Sequence, residues 1–303
     1  MIVTKTVYDF VFRRQTPQNR RNDTDIGEDF SYPCGKGKLT GYLYRSPKQC
    51  KELVVFVPGF RAEAARYGGV IRGIAQAGFD VFSFDCTGCG NSHGKTAVGF
   101  PQVINDLNAT LTFIEKNKSF DYDKIYLFGH SRGGYAACCT VNEHKNISGV
   151  ISVNGVNHAM DGIMAYSVAA VGVFAYVNYY FLWLYHCMLF GREIADRSAV
   201  CEINKSGVPV LVIQAYDDQR ITRDRFSLYA RRKKVNSPNA EFLLYQSPRN
   251  CGHTSILYDQ WGRPNQEIIL KATDFFKNIS ERRIRHGEKY SSHPRIQTGQ
   301  QAD

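Results

Sequence analysis

From residue 52 onward, short runs of almost wholly apolar residues alternate with segments whose apolar positions recur every three or four residues. The runs are "ELVVFV", "FDVFSFD", "KIYLFG", "ISGVISV", "PVLVIQA" and "AEFLLY". Between and after them come "AEAARYGGVIRGIAQAG", "VINDLNATLTFIEKN", "RGGYAACCTVNEH" and "NQEIILKATDFFKNI". A strand that is apolar on both faces has to be covered on both faces, and helical segments between such strands supply the cover. The pattern therefore predicts an α/β chain with a mostly parallel, doubly wound sheet. Right-handed crossovers then send the helices to alternate faces. In sheets of this kind chemistry collects just beyond the carboxyl ends of the strands, which says where functional residues should be sought.

Upstream of this alternation, Thr4 to Arg13 and Lys38 to Arg45 carry β-forming residues. They predict a leading antiparallel pair joined by a polar loop. A further helix is predicted near 222–235, and residues 286–303, which lack an apolar pattern, are expected to form a flexible tail.

Composition narrows the classes. Apolar content of 43% and charged content of 22% are those of a globular protein. The net charge of +10 is concentrated in residues 1–21, 220–234 and 271–303, so the rest of the chain is net negative. No basic stripe is interleaved with base-reading or stacking residues, which argues against a nucleic-acid partner. Solvated basic faces are the plain reading, with attraction to anionic lipid headgroups the alternative. The nine cysteines are odd in number and two of them adjoin, Cys138 and Cys139. That usage predicts reduced thiols and a cytoplasmic setting, and the first residues lack the apolar stretch of a signal peptide. Cys86 and Cys89 have the spacing of a redox pair, but no second ligand pair lies nearby.

Three strand ends carry reactive side chains. Gly129-His130-Ser131-Arg132-Gly133 follows the run at 124–128, Asp217 and Asp218 follow "PVLVIQAY", and His253 lies beyond "AEFLLYQS". The first fits G-x-S-x-G, a strand-to-helix turn too tight for Cβ atoms on either side of the serine. A serine hydroxyl becomes a nucleophile when an imidazole takes its proton, and the imidazole needs an anion to fix its tautomer. The order Ser, Asp, His is one of several that bring these parts together.

On these residues the chain resembles the α/β-hydrolase family, serine esterases and lipases with a hydrophobic cap insertion, through most of residues 38–280. The motifs that carry the likeness are the G-x-S-x-G pentapeptide, "VPGFRAE", "DCTGCGNS", "AYDDQRI" and "CGH". The resemblance implies Ser131 as nucleophile, His253 as base and Asp218, rather than Asp217, as the orienting acid. It implies an oxyanion hole from the backbone N–H groups of Phe60 and Arg132; many relatives have His-Gly where this chain has Pro58-Gly59. No cofactor or metal is implied. Asp85, Gly88, Gly90 and Ser92 are expected to shape a loop, His130 to be structural, and His93 and His158 to lie near substrate at most. The activity implied is hydrolysis of a small-molecule acyl ester. Peptidase, amidase, thioesterase or acyltransferase chemistry uses the same parts, and a hydrolase-fold protein that binds without turnover is the alternative of a different class.

Between Asp161 and Arg192 stand thirty residues with no charged side chain, "GIMAYSVAAVGVFAYVNYYFLWLYHCMLFG". The length would serve a membrane span. A single crossing, however, would separate two strands of one sheet, at 149–156 and 209–215. The expectation is a helical cap over residues 157–204, breaking near Val177-Asn178, inserted in a core made of 1–156 and 205–285. Such a cap lines an apolar pocket, and where it also faces outward it needs a membrane or a second subunit, as in a homodimer.

Overall fold

The computed structural model describes Tyr8, Phe12 and residues 27–248, 251–259 and 261–291. Eight strands form one sheet in the order β1-β2-β4-β3-β5-β6-β7-β8. They are β1 (Glu28–Cys34), β2 (Gly37–Tyr44), β3 (Glu52–Val57), β4 (Asp80–Asp85), β5 (Lys124–His130), β6 (Ile147–Val153), β7 (Val210–Ala215) and β8 (Ala240–Tyr245). β2 runs antiparallel to both its neighbours, and every pairing from β4 to β8 is parallel. The chain thus has the mostly parallel α/β sheet that the alternating pattern predicts, in the α/β-hydrolase arrangement that the resemblance implies.

The central strands are buried along their whole length, β4 and β6 at every residue. Helices cover them on both faces. One face takes α1 (Gly68–Gln76) and α8 (Gln266–Ser291), where Val70, Ile71 and Ile74 join Ile268, Ile269 and Phe276 in one core layer. The other takes α2 (Gln102–Lys116) and α3 (Arg132–Cys139), where Ile104 and Leu107 pack with Ala136 and Ala137. Fully burying one such aliphatic side chain contributes about 1.5–3 kcal/mol. The two layers therefore fix the sheet, and the sheet fixes its strand ends.

Three expectations need correction. The partner of β2 is β1, Glu28–Cys34, and not Thr4 to Arg13. Most of the latter lies outside the described residues; Tyr8 is helical, and the Phe12 N–H bonds to the Tyr8 carbonyl at 2.9 Å, one helical turn back. β1 escapes a propensity reading because it contains Pro33, which an edge strand tolerates. The expected helix near 222–235 is instead a run of turns followed by a 3₁₀ helix at Tyr229–Lys234, none of whose residues is buried. It has no apolar face to hold a longer helix against the core. Residues 286–291, expected in a flexible tail, continue α8, because Glu281 to Arg285 favour helix without needing a core face. Residues 292–303 lie outside the described residues.

Between β6 and β7 the chain makes α4 (Ala159–Val171), a 3₁₀ helix (Gly172–Asn178), α5 (Tyr179–Phe190), α6 (Arg192–Ala195) and α7 (Ala199–Lys205). α5 rests one side on the core, where the rings of Tyr185 and His186 lie 4.9 and 5.2 Å from that of Tyr8. His186 is fully buried, and neither ring nitrogen has a hydrogen-bond partner among the described residues. Burial pulls its pKa from the ordinary 6.5 down to about 4.

That shift has a sign. Between about pH 6.5 and about pH 4 the unfolded chain holds a proton at His186 that the folded chain rejects, so stability drops as the solution is acidified. His186→Leu removes both this loss and two unsatisfied polar atoms. It should raise the urea midpoint at neutral pH, by about 1–2 kcal/mol of stability, and raise it further at the acid end of that window. A variant no more stable than wild type at either pH would show that the ring is satisfied in solution.

Candidate active site

The turn from β5 into α3 is shaped by steric exclusion. Ser131 has φ 56° and ψ −118°, a conformation that costs a non-glycine residue about 1–3 kcal/mol. A Cβ on Gly129 would stand 2.2 Å from the Gly133 carbonyl oxygen, and one on Gly133 would stand 2.1 Å from that of Val57. Both obstacles are backbone, so neither can yield. The strain is held by α3, all eight of whose residues are buried, and by the Ser131 N–H bond to the Val153 carbonyl at 2.8 Å.

The other strand ends bring their residues to this point. His253 Nε2 lies 3.0 Å from Ser131 Oγ, and His253 Nδ1 lies 2.7 Å from Asp218 Oδ2. Asp218 is buried just beyond β7, and its Oδ1 accepts the N–H groups of Arg220 and Ile221, each at 2.8 Å. Asp217 is exposed, with its N–H on the Cys251 carbonyl at 3.1 Å. One buried carboxylate thus orients the imidazole, whose far nitrogen can take the serine proton. Arg132 opens α3, where the first N–H groups of a helix have no intrahelical acceptor. Phe60 follows β3 in a turn where Arg61 is held at φ 59°.

His130, expected to be structural, joins loops that lie far apart in sequence. Its Nε2 bonds to the backbone carbonyl of His253 at 2.8 Å, and its Nδ1 to Tyr67 Oη at 2.9 Å. A carbonyl only accepts, so Nε2 carries the proton, Nδ1 accepts, and the Tyr67 hydroxyl donates to it. The Tyr67 oxygen in turn accepts the Gly59 N–H at 3.1 Å. Burial, and then the charge a protonated His253 would carry, pulls the pKa of His130 down to about 3 and keeps the ring neutral. One chain of hydrogen bonds therefore connects the Phe60 turn to the backbone of the base. Asn154 completes it: Nδ2 donates to the His253 carbonyl at 2.9 Å, and Oδ1 accepts the Ala215 N–H at 2.7 Å. The Asn-Gly pair after β6 was the one signal for Asn154, since Asn adopts the left-handed conformation it has here, φ 51°.

Asp85 anchors the same region from β4. Its carboxylate accepts from the Tyr42 hydroxyl and from the N–H groups of Asn91 and Ala64. A Cβ on Gly90 would fall 2.1 Å from that carboxylate. Cys86 and Cys89 beside it are free and buried, and burial pushes the Cys89 thiol up to about 11, which disfavours a reactive thiolate. His93 and His158 stand apart from these contacts. The former bonds to the Lys38 carbonyl, and the latter caps α4 with Asp161.

Around Phe60 the setting is aromatic and cationic. The rings of Phe12, Phe100 and Tyr166 lie 5.3, 6.1 and 5.5 Å from its own, so α4 reaches over the turn. The guanidinium groups of Arg61 and Arg132 lie 5.6 and 5.5 Å from the Phe60 ring. Arg132 is wholly buried, and two of its nitrogens find no acceptor among the described residues.

Two substitutions probe this geometry through the rate at which Ser131 reacts with a fluorophosphonate. Asp218→Asn should slow labelling about 10³-fold or more, while Asp217→Asn should change it by less than about threefold. His130→Phe, checked for folding by circular dichroism, should slow it about tenfold to a hundredfold by releasing the His253 backbone. Equal effects of the two aspartate changes would mean that Asp218 does not orient the base.

Comparison with known proteins finds similarity to hydrolases. Residues 48–174 match the family described as serine aminopeptidase, S33. A proline iminopeptidase of Clostridioides difficile (strain 630) is 33% identical over 95 residues, which span 31% of this chain and 31% of that protein. Among solved structures, the Pyrococcus furiosus esterase Pf2001 superposes with a TM-score of 0.63 at 19% identity, over 89% of this chain and 97% of the esterase. Est1E of Butyrivibrio proteoclasticus, solved with ferulic acid, gives 0.58 at 17% over 82% and 97%. A proline iminopeptidase of Mycobacterium smegmatis gives 0.56 at 14% over 83% and 98%. With its strand order and these structural neighbours, the chain has the α/β-hydrolase fold, and residues 48–174 carry the likeness to the serine aminopeptidase family.

Proposed function

We propose that this chain is a serine hydrolase that cleaves a carboxylic ester through an acyl-enzyme. The observation that carries the reading is the unbroken line from Ser131 Oγ through the His253 ring to the buried Asp218 carboxylate, at 3.0 and 2.7 Å. Ser131 Oγ attacks the ester carbonyl as His253 Nε2 takes its proton, and Asp218 stabilises the resulting imidazolium. The N–H groups of Phe60 and Arg132 hold the tetrahedral oxyanion. Collapse expels the alcohol, which leaves with the proton from His253. Water then gives a proton to His253 and attacks the acyl carbon, and His253 returns that proton to Ser131 Oγ as the acid departs. The chain's own residues supply every proton transfer.

An ester is favoured over an aminopeptidase substrate by what surrounds Phe60. An aminopeptidase has to hold the ammonium group of its substrate, which calls for carboxylates. Here two guanidinium groups flank the turn, and they would repel a second cation. The aromatic rings suit an apolar acyl or aryl group. The likeness to the S33 family and to proline iminopeptidases favours the second reading, cleavage of an aminoacyl amide.

A side-by-side assay of acyl esters, acyl thioesters and aminoacyl amides separates them. Esters should be turned over with kcat/KM at least about a hundredfold above the amides, and Ser131→Ala should lower ester turnover about 10⁴-fold or more. A preference for aminoacyl amides would establish the second reading. Neither turnover nor labelling of Ser131 would leave a binding protein.

A further inference from the structure

We propose that the outward face of residues 172–190 docks on an anionic lipid bilayer, lying along the headgroup boundary without crossing the membrane. The stretch Gly172–Phe190 is long and apolar enough to be a span by composition, yet only 17% of it is buried. Val173, Phe174 and Val177 are each more than 70% exposed. On α5, Tyr180, Phe181, Leu184 and Met188 point away from the core, at the spacing of one helix face. Ten exposed large apolar side chains lie between Val173 and Leu189. A contiguous apolar surface of this extent on a soluble chain marks an interaction site.

A crossing is excluded by the sheet. β6 and β7, which flank the insert, pair in parallel register with Ile151 opposite Leu211, so both ends return to the same body. Tyr176, Tyr179 and Tyr180 instead offer rings with a polar tip, the side chains that favour a membrane–water boundary. A helix lying in that boundary buries one apolar face and needs no second crossing.

Basic residues adjoin the same face and choose the occupant. The Arg225 guanidinium lies 5.3 Å over the Tyr176 ring and donates to its hydroxyl. Arg231 reaches Asp161 at the start of α4 at 3.7 Å, bringing Arg232, Lys233 and Lys234 alongside. Residues 220–234 hold seven basic side chains against one acidic. Lipid phosphates would neutralise this rim. A second copy packed face to face about a two-fold axis would oppose it with its own cations.

The test is co-sedimentation of the intact chain with vesicles of phosphatidylcholine, with and without phosphatidylglycerol. Binding is read directly, so the result stands whether or not Ser131 turns over an ester. Wild type should bind the vesicles containing phosphatidylglycerol, and added salt should weaken it. Phe174→Glu with Phe181→Glu, both at exposed positions, should cut binding about tenfold or more. Arg232→Glu with Lys233→Glu should remove the preference for phosphatidylglycerol. Wild type that stays in the supernatant overturns the proposal, as does a dimer, seen by analytical ultracentrifugation, that the phenylalanine variant splits. Vesicle binding that neither variant alters would place the contact elsewhere and overturn it too.

Discussion

The left-handed backbone of Ser131 is the constraint on which the rest of the site depends. A turn from β5 into α3 as tight as this one exists only because two flanking positions lack a Cβ, which at either would stand little more than 2 Å from a backbone carbonyl oxygen. Its cost of about 1–3 kcal/mol is small beside the burial of α3 against the sheet. The core therefore holds the serine backbone in place, which keeps the hydroxyl within hydrogen-bond reach of the imidazole.

Rigidity at the nucleophile would be of little use if its partners were free to drift, since they come from loops far apart in sequence. His130, the neighbour of Ser131, ties them together. Through Tyr67 it holds the turn that carries Phe60, and through its other nitrogen it holds the backbone of His253. Because that carbonyl requires a donor, the ring has a single useful tautomer, and burial protects it from protonation. In the proposed reaction no charge then sits at His130 beside the base. The same residue type thus has two roles at adjoining places, one ring poised to exchange protons and one prevented from doing so.

What could be read from the sequence followed from local chemistry. Doubly covered strands have no way to hide their composition, so β3 to β7 stand out as apolar runs. The glycines around Ser131 announce the turn, and Asp218 differs from Asp217 by its spacing to Ile221, beside which it is buried while its neighbour is exposed. What escaped depends on contacts over distance. β1 is an edge strand with a proline and two acidic residues at its start, held by its register with β2 rather than by propensity. Tyr67 is unremarkable in sequence and Asn154 is marked only by the glycine after it; their importance comes from His130 and His253, more than 60 and more than 95 residues further along. The basic run 229–234 resembles a helix in composition, but it lacks the apolar stripe that would dock one.

The insert between β6 and β7 joins these two levels, since α4 places Tyr166 over Phe60 while α5 turns its other side outward. A substrate presented from a surface would then meet the turn and the nucleophile from the same side of the sheet. The central claim is that Ser131 becomes covalently acylated with His253 as its base. Rapid-quench mass spectrometry with an activated acyl ester, followed by peptide mapping, tests it most directly. The account predicts one acyl group on the peptide that contains Ser131, formed by wild type and scarcely by His253→Ala. Acylation of another residue such as the exposed Cys201, or turnover with no adduct on Ser131 at any quench time, would contradict it.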